Sequence, residues 1–305
     1  MTESPAPSVS RWAVYLRLGR ISNLPTVWTN CLAGVFLAGV APSAGTAAPL
    51  LLALSCFYTG GMLLNDAFDA GHDRKFRPER PIPAGQIAAG EVFAGGFALL
   101  GLGEAVLGMI GPLQGAAPSA MGLLSGLVLG ALIVFYDAHH KNNVLSPLVM
   151  ALCRAMVYVT VAATVLPAVA ALVPPARLGW GMVALVCYLI GLTYVAKQEN
   201  LQQIRNLWPL VFLATPFVYC APALSEGPFA AALYLGFLAW VGYGLWFVMI
   251  PARRSIPRAV TVLIAGISLL DGVLMAGTGA PPAWLAATVA AWALTLFLQR
   301  FVSGT

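Results

Sequence analysis

Charge is scarce in this sequence: Asp, Glu, Lys and Arg together supply 9% of its 305 residues, while 60% are hydrophobic. A soluble domain carries about 25% charged residues, so this chain has too little polar surface to clothe a water-soluble globule and belongs in lipid. Alternation of apolar with polar residues is missing as well. Runs such as Leu50-Leu51-Leu52-Ala53-Leu54 and Val262-Leu263-Ile264-Ala265-Gly266-Ile267 exclude the two-residue period of a membrane β-barrel. A helical bundle is left as the way to satisfy the backbone in hydrocarbon. The polar, Pro/Ser-rich start from Met1 to Ser10 leads into no short apolar core with a small-residue cleavage site, so no cleavable signal peptide is expected. Cys31, Cys56, Cys153, Cys187 and Cys220 stand singly in apolar runs without CxxC spacing, which excludes a zinc or disulfide framework and marks them as reduced packing residues. Low-complexity tracts and short repeats are absent. The longest polar connection, Ala70 to Glu91, leaves no room for a soluble domain.

What is present is a series of apolar runs, each of roughly 17 to 25 residues, the length a helix needs to cross the bilayer. The expected fold is all-α, a polytopic transmembrane bundle of nine to ten spans. Candidate spans are Ile21 to Val40, Ala47 to Phe68, Val92 to Ile110, Ala120 to Tyr136, Ser146 to Val165, Leu178 to Ala196, Trp208 to Ala223, Phe229 to Ile250, Ala259 to Gly277 and Trp284 to Leu298. Residues 1–20 form an N-terminal segment and 21–301 a single membrane domain. With the N-terminus inside, the even connections place Arg74, Lys75, Arg77, Arg80, Lys141, Lys197, Arg205, Arg253, Arg254 and Arg258 on the cytoplasmic face of the cell membrane, and only Arg177 falls outside. Cationic loops translocate poorly, so both termini are expected in the cytoplasm. The net charge of +5 reflects this topology rather than nucleic-acid binding.

Polar chemistry gathers at the end of the second span, in Asn65-Asp66-Ala67-Phe68-Asp69-Ala70-Gly71-His72-Asp73. Asn65, Asp69 and Asp73 recur at four-residue steps and Asp66 lies three before Asp69, so a continuing helix presents all four on one face. Three carboxylates so close repel one another unless cations lie between them. Mg²⁺ takes one or two carboxylates, keeps waters and completes its shell with phosphate oxygens, so the spacing points to a metal-diphosphate site held by Asn65, Asp66, Asp69 and Asp73. Intramembrane carboxylates are costly and usually functional. The rigid turn Arg77-Pro78-Glu79-Arg80-Pro81-Ile82-Pro83-Ala84-Gly85 follows. For Arg80, two readings stand: bidentate phosphate contact, or retention of the loop inside.

These residues resemble the UbiA superfamily of intramembrane prenyltransferases. The family signature NDxxDxxxD stands here as Asn65-Asp66-x-x-Asp69-x-x-x-Asp73, and its basic turn as Arg80-Pro81-Ile82-Pro83-Ala84-Gly85. Arg20 with Asn23 looks like the family's N-terminal Arg/Asn pair, and Tyr136 with Lys141 like its Tyr/Lys element. The resemblance implies a helical bundle around a central cavity that holds a polyprenyl diphosphate through Mg²⁺, with a small, aromatic or otherwise lipophilic acceptor. The resemblance casts Asp66, Asp69 and Lys141 in catalysis and Asn23, Arg80 and Tyr136 in substrate binding; the residues themselves add Glu199 to the first set and Arg154 and Lys197 to the second. Lys141 or Arg80 would help the leaving group, and Phe57, Phe68, Tyr136 or Tyr158 would face the prenyl cation.

The sequence departs from the family at the end of the sixth span, where a second Asp-rich motif is usual. Tyr194-Val195-Ala196-Lys197-Gln198-Glu199-Asn200-Leu201-Gln202-Gln203 contains no aspartate. Two readings stand: Glu199 holds one metal there, with Asn200 or Gln203 orienting water and Lys197 touching phosphate directly in place of a cation, or the second metal site is gone and the ionisation step with it. Arg154, two turns into the fifth span, either contacts phosphate or pairs with Asp137. Glu104 and Asp271 lie in outward halves of spans and read as structural groups, or as a polar path belonging to a non-catalytic carrier of an isoprenoid or other lipophilic metabolite. His72, His139 and His140 are assigned no metal.

Overall fold

The computed structural model of the chain describes residues 10–141, 143–197, 208–302 and 304. Among these residues the architecture is entirely helical. The helices are α1 (Arg11–Leu18), α2 (Leu24–Ala38), α3 (Ala44–Phe76), α4 (Ala89–Leu113), α5 (Ala120–His139), α6 (Ser146–Val165), α7 (Ala168–Leu172), α8 (Ala176–Lys197), α9 (Thr215–Cys220), α10 (Pro228–Met249), α11 (Ile256–Ala276) and α12 (Pro282–Leu298).

Seven of the described helices, α3, α4, α5, α6, α8, α10 and α11, are long and apolar enough to cross a membrane. This differs from the nine to ten spans expected, and the reason is local. α2 has 15 residues and α12 has 17, which at 1.5 Å per residue makes about 22 and 26 Å, short of the roughly 30 Å hydrocarbon layer. The run Trp208 to Ala223 is broken by Pro209, Pro216 and Pro222 into two 3₁₀ turns flanking α9. The chain is membrane-embedded and multi-pass. Within residues 1–20, α1 is a short helix docked across the end of α4, where Arg11 pairs with Glu91 and the Tyr15 hydroxyl donates to Glu91 at 2.6 Å.

The sequence sets several helix starts directly. Ser43 and Ser119 cap α3 and α5, their hydroxyls accepting from Thr46 N–H at 3.3 Å and Gly122 N–H at 3.0 Å. Prolines occupy the first turn of α2, α6, α10, α11 and α12, where a missing N–H costs nothing. In lipid, close packing rather than the hydrophobic effect joins helices, and small residues permit it. A Cβ on Gly60 would stand 2.8 Å from the Gly96 carbonyl oxygen, and one on Gly96 2.7 Å from Leu64 Cγ. The bare backbones are therefore what lets α3 and α4 approach.

α11 is buried along almost its whole length, packed among α2, α8, α10 and α12. Tyr158, Tyr188 and Phe237 are the largest fully buried side chains, and the Tyr188 hydroxyl finds Leu263 C=O at 2.7 Å. Between α2, α3, α5, α6, α8 and α11 lies a cavity of about 430 Å³.

Candidate active site

α3 runs 33 residues and continues through the polar segment to Phe76, so Asn65, Asp66, Asp69 and Asp73 share one helical face, all of them buried. The face meets a ring of cations drawn from three other stretches of chain. Arg20 Nη2 lies 3.3 Å from Asp66 Oδ1 and donates to Asn65 Oδ1 at 3.4 Å. Arg80 Nη1 reaches Asp66 Oδ1 at 3.2 Å and Asp73 Oδ2 at 3.0 Å. Lys141 Nζ stands 3.0 Å from Asp69 Oδ2, and His140 Nε2 3.5 Å from Asp69 Oδ1. Burial works against a charged His140, but the hydrogen bond and charge of Asp69 outweigh it and raise the imidazole above its ordinary value.

Arg20 adopts φ +42°, a left-handed conformation that no other non-glycine residue among those described shares. It sits at the break between α1 and the 3₁₀ turn Ile21–Asn23. Such a residue carries strain of order 1 kcal/mol, which is here spent on aiming a guanidinium at the acidic face.

Asn65 is the motif residue that lines the cavity; the three carboxylates lie behind it, each already facing a protein cation. Among the described residues the cavity wall carries Arg20, Arg77, Arg80, His140, Arg154 and Lys197 and one acid, Asp137. Its remaining wall is largely apolar, with Phe57, Leu129 and Ile267 among the lining residues. Asp137 Oδ1 accepts from Asn65 Nδ2 at 3.1 Å, while Oδ2 is buried with no hydrogen-bond partner among the described residues.

Asn23 and Tyr136 line the same cavity, Tyr136 stacked on His140 with ring centroids 5.1 Å apart. Asn23 donates to Gly304 C=O at 2.8 Å and accepts from Gln299 at 3.1 Å. Lys197 lines the cavity too and donates to Asn143 C=O at 3.2 Å. Glu199, Asn200 and Gln203 lie outside the described residues.

Some expectations are corrected. Arg154 does not pair with Asp137; it donates to Asn30 Oδ1 at 2.7 Å and Thr26 Oγ1 at 3.0 Å, because α6 turns it toward α2 rather than α5. Phe68 packs edge-on against Phe93 away from the cavity, and Tyr158 is buried with its hydroxyl on Asp271. Asp271 and Glu104 need no such correction: they are expected away from the site and neither lines the cavity, Asp271 being fully buried beneath α2 and Glu104 lying over Gly126 of α5. Four residues went unassigned from sequence. Asp137 and His140 lie between Tyr136 and Lys141, and Asn30 and Thr26 were signalled only as polar residues inside an apolar run.

The site defines a membrane-embedded helical protein with a cavity of cationic and apolar walls set beside the acidic face of α3. The sequence comparisons make this class narrower. Over 105 residues the chain is 38% identical to the digeranylgeranylglyceryl phosphate synthase of Ignicoccus hospitalis, covering 33% of each chain. Over 96 residues it is 35% identical to the synthase of that name from Methanopyrus kandleri, covering 30% of this chain and 35% of that one. The chain thus aligns with about a third of the length of these curated relatives. A solved structure of a digeranylgeranylglyceryl phosphate synthase superposes over 91% of this chain and 98% of its own at TM-score 0.58 and 13% identity, a likeness of fold. No family model matches the chain. Its NDxxDxxxD motif, these partial matches and this fold are similar to those of the UbiA superfamily.

Proposed function

We propose that the chain is a membrane-embedded prenyltransferase that moves a prenyl group from an isoprenyl diphosphate to a small lipophilic, in particular aromatic, acceptor. The observation that carries this reading is the Asn65–Asp73 face meeting Arg20, Arg80, His140 and Lys141 at one end of a cavity with largely apolar walls. The names of the matched relatives support it. On the positive-inside reading this end faces the cytoplasm of the cell membrane, and α2, α12 and the broken segment 208–224 add to the seven long spans to give nine or ten.

The donor set is one Mg²⁺ favours: hard oxygens on Asn65, Asp66 and Asp69, with the unpartnered Asp137 Oδ2 beside Asn65. Among the described residues no three His, Cys, Asp or Glu side chains already converge as ligands, which is compatible with an ion that takes one or two carboxylates and fills its shell with phosphate and water. Mg²⁺, when bound there, neutralises charge on the diphosphate leaving group. Arg20, Arg80 and Lys141 orient that group and share its charge as the allylic C–O bond breaks, the electron pair leaving with diphosphate. Phe57 and Tyr136 line the cavity, where their rings would stabilise the cation and, with the apolar wall, exclude water. The acceptor's electron pair then closes the new bond and its proton departs.

The test is pyrophosphate release by the purified chain in detergent, with geranylgeranyl diphosphate, Mg²⁺ and a panel of acceptors. Turnover that needs Mg²⁺ and vanishes in Asp69→Asn supports the reading. Metal-dependent binding of the diphosphate with no turnover for any acceptor rejects catalysis and leaves a carrier.

A further inference from the structure

Arg20, Arg80, His140 and Lys141 each face a carboxylate of α3; Arg154 does not. It lies on α6, eight residues past Ser146, so about 12 Å further into the bundle at 1.5 Å per residue. Its guanidinium is braced by two neutral acceptors on α2, Asn30 Oδ1 at 2.7 Å and Thr26 Oγ1 at 3.0 Å, and its Cζ sits 5.5 Å from the Tyr58 ring centroid. No carboxylate lies within ion-pair distance of it among the described residues. A guanidinium has five N–H donors, and two are spent on these braces. The residue nevertheless lines the cavity.

The brace is itself held from behind. Asn30 Nδ2 donates to both oxygens of Asp271, at 3.0 and 2.8 Å, and Asp271 also accepts from Thr29 Oγ1 at 2.6 Å and from Tyr158. With its amide nitrogen on Asp271, Asn30 turns its carbonyl oxygen to Arg154. Asp271 therefore orients the arginine without neutralising it by contact. The Tyr58 hydroxyl in turn reaches the Arg20 carbonyl at 3.3 Å, so the Tyr58 ring stands between Arg154 and the outer layer of cations.

A charged side chain within the membrane is expensive, and such groups normally pair. One that is fixed in orientation, left with free donors and turned into a cavity is built to receive an anion. We propose that Arg154 anchors an oxyanion carried by the acceptor, a carboxylate or a phosphate monoester, at a subsite inside the bundle separate from the donor's diphosphate. The prenyl-transfer reading supplies only the identification of this ligand as the acceptor; the anion subsite stands on the geometry.

The experiment uses the full chain in detergent and measures dissociation constants by thermal shift for phenyl phosphate, benzoate and uncharged benzyl alcohol, with geranylgeranyl diphosphate measured alongside. The expected result is that both anions bind at least about tenfold more tightly than the alcohol, the scale of a charge-assisted bidentate contact. Arg154→Gln should abolish that preference and leave the diphosphate constant within about threefold, and Arg154→Lys should restore part of it. If Arg154→Gln does not fold, Thr26→Val carries the test. It removes one brace and no charge, and should cut the preference several-fold. Unchanged anion preference in these variants overturns the proposal, and so does a loss of diphosphate binding as large as the loss of anion binding, which would assign Arg154 to the donor. Anion binding through Arg154 with no diphosphate binding by the wild type would reject prenyl transfer while upholding the subsite. Diphosphate binding without anion preference would do the reverse.

Discussion

Asn65 donates its side-chain amide to Asp137 at 3.1 Å, tying α3 to α5 at the cavity wall. The second Asp137 oxygen is buried without a partner among the described residues. Removing the acceptor altogether, by Asp137→Leu, leaves the Asn65 amide unsatisfied and should cost about 1–3 kcal/mol. Asp137→Asn keeps an oxygen for Asn65 and removes a buried carboxylate oxygen that has no hydrogen-bond partner among the described residues, so its melting temperature in Mg²⁺-free detergent should equal or exceed that of the wild type. A marked loss of stability in Asp137→Asn would mean that the charge itself is structurally required.

Arg20 combines a strained backbone with a functional side chain, and the two roles separate by substitution. Arg20→Gly and Arg20→Ala both lose the contact to Asp66, but only glycine accepts φ +42° freely. The alanine variant should therefore be less stable by about 1 kcal/mol, while both weaken diphosphate binding to a similar extent. Chemical denaturation and binding measured on the same preparations separate the two effects.

Much of this site was legible in the sequence because it rests on local periodicity. The four-residue spacing of Asn65, Asp69 and Asp73 survives into the structure since α3 continues unbroken past the apolar run to Phe76. The boundaries of α6 follow just as directly from Ser146 to Val165, between a proline-bearing first turn and a break at Leu166. What could not be read is which faces oppose. Whether Arg154 meets Asp137 or Asn30 depends on the rotation of α6 between α5 and α2, and the apolar residues around it carry too little asymmetry to set that rotation. Adjacent His139 and His140 separate for the same reason: one stacks outward on Phe135, the other turns to Asp69. Seven helices are long enough to cross, and the run from Trp208 to Ala223 is not among them because prolines break it: composition registers the apolar total and not the missing N–H groups.

The α3–α4 contact makes a packing prediction. A Cβ at Gly96 meets Leu64 Cγ at 2.7 Å and the Gly60 carbonyl at 3.1 Å, whereas one at Gly101 meets nothing within 4 Å. Gly96→Val should push the helices apart and cost about 1–3 kcal/mol. Gly101→Ala should be neutral or stabilising by up to about 1 kcal/mol through helix propensity. Melting temperatures of the two variants check this contrast, and equal values would place the helix contact elsewhere.

Asp271 is fully buried and receives hydrogen bonds from Thr29, Asn30 and Tyr158, which join α11 to α2 and α6. Its donors share one acceptor, so their removal should be unequal in cost to its own. Tyr158→Phe or Thr29→Val deletes a single donor and leaves the others in place, for about 1 kcal/mol each. Asp271→Leu strands three donors at once in an apolar interior and should cost several kcal/mol, enough to prevent accumulation of folded protein. Combining Tyr158→Phe with Thr29→Val should cost more than the sum of the two, because the carboxylate then retains only Asn30 to offset its burial. Additive losses in that cycle would show that the two hydroxyls act independently, and that the network does not function as one unit holding α2 against α11.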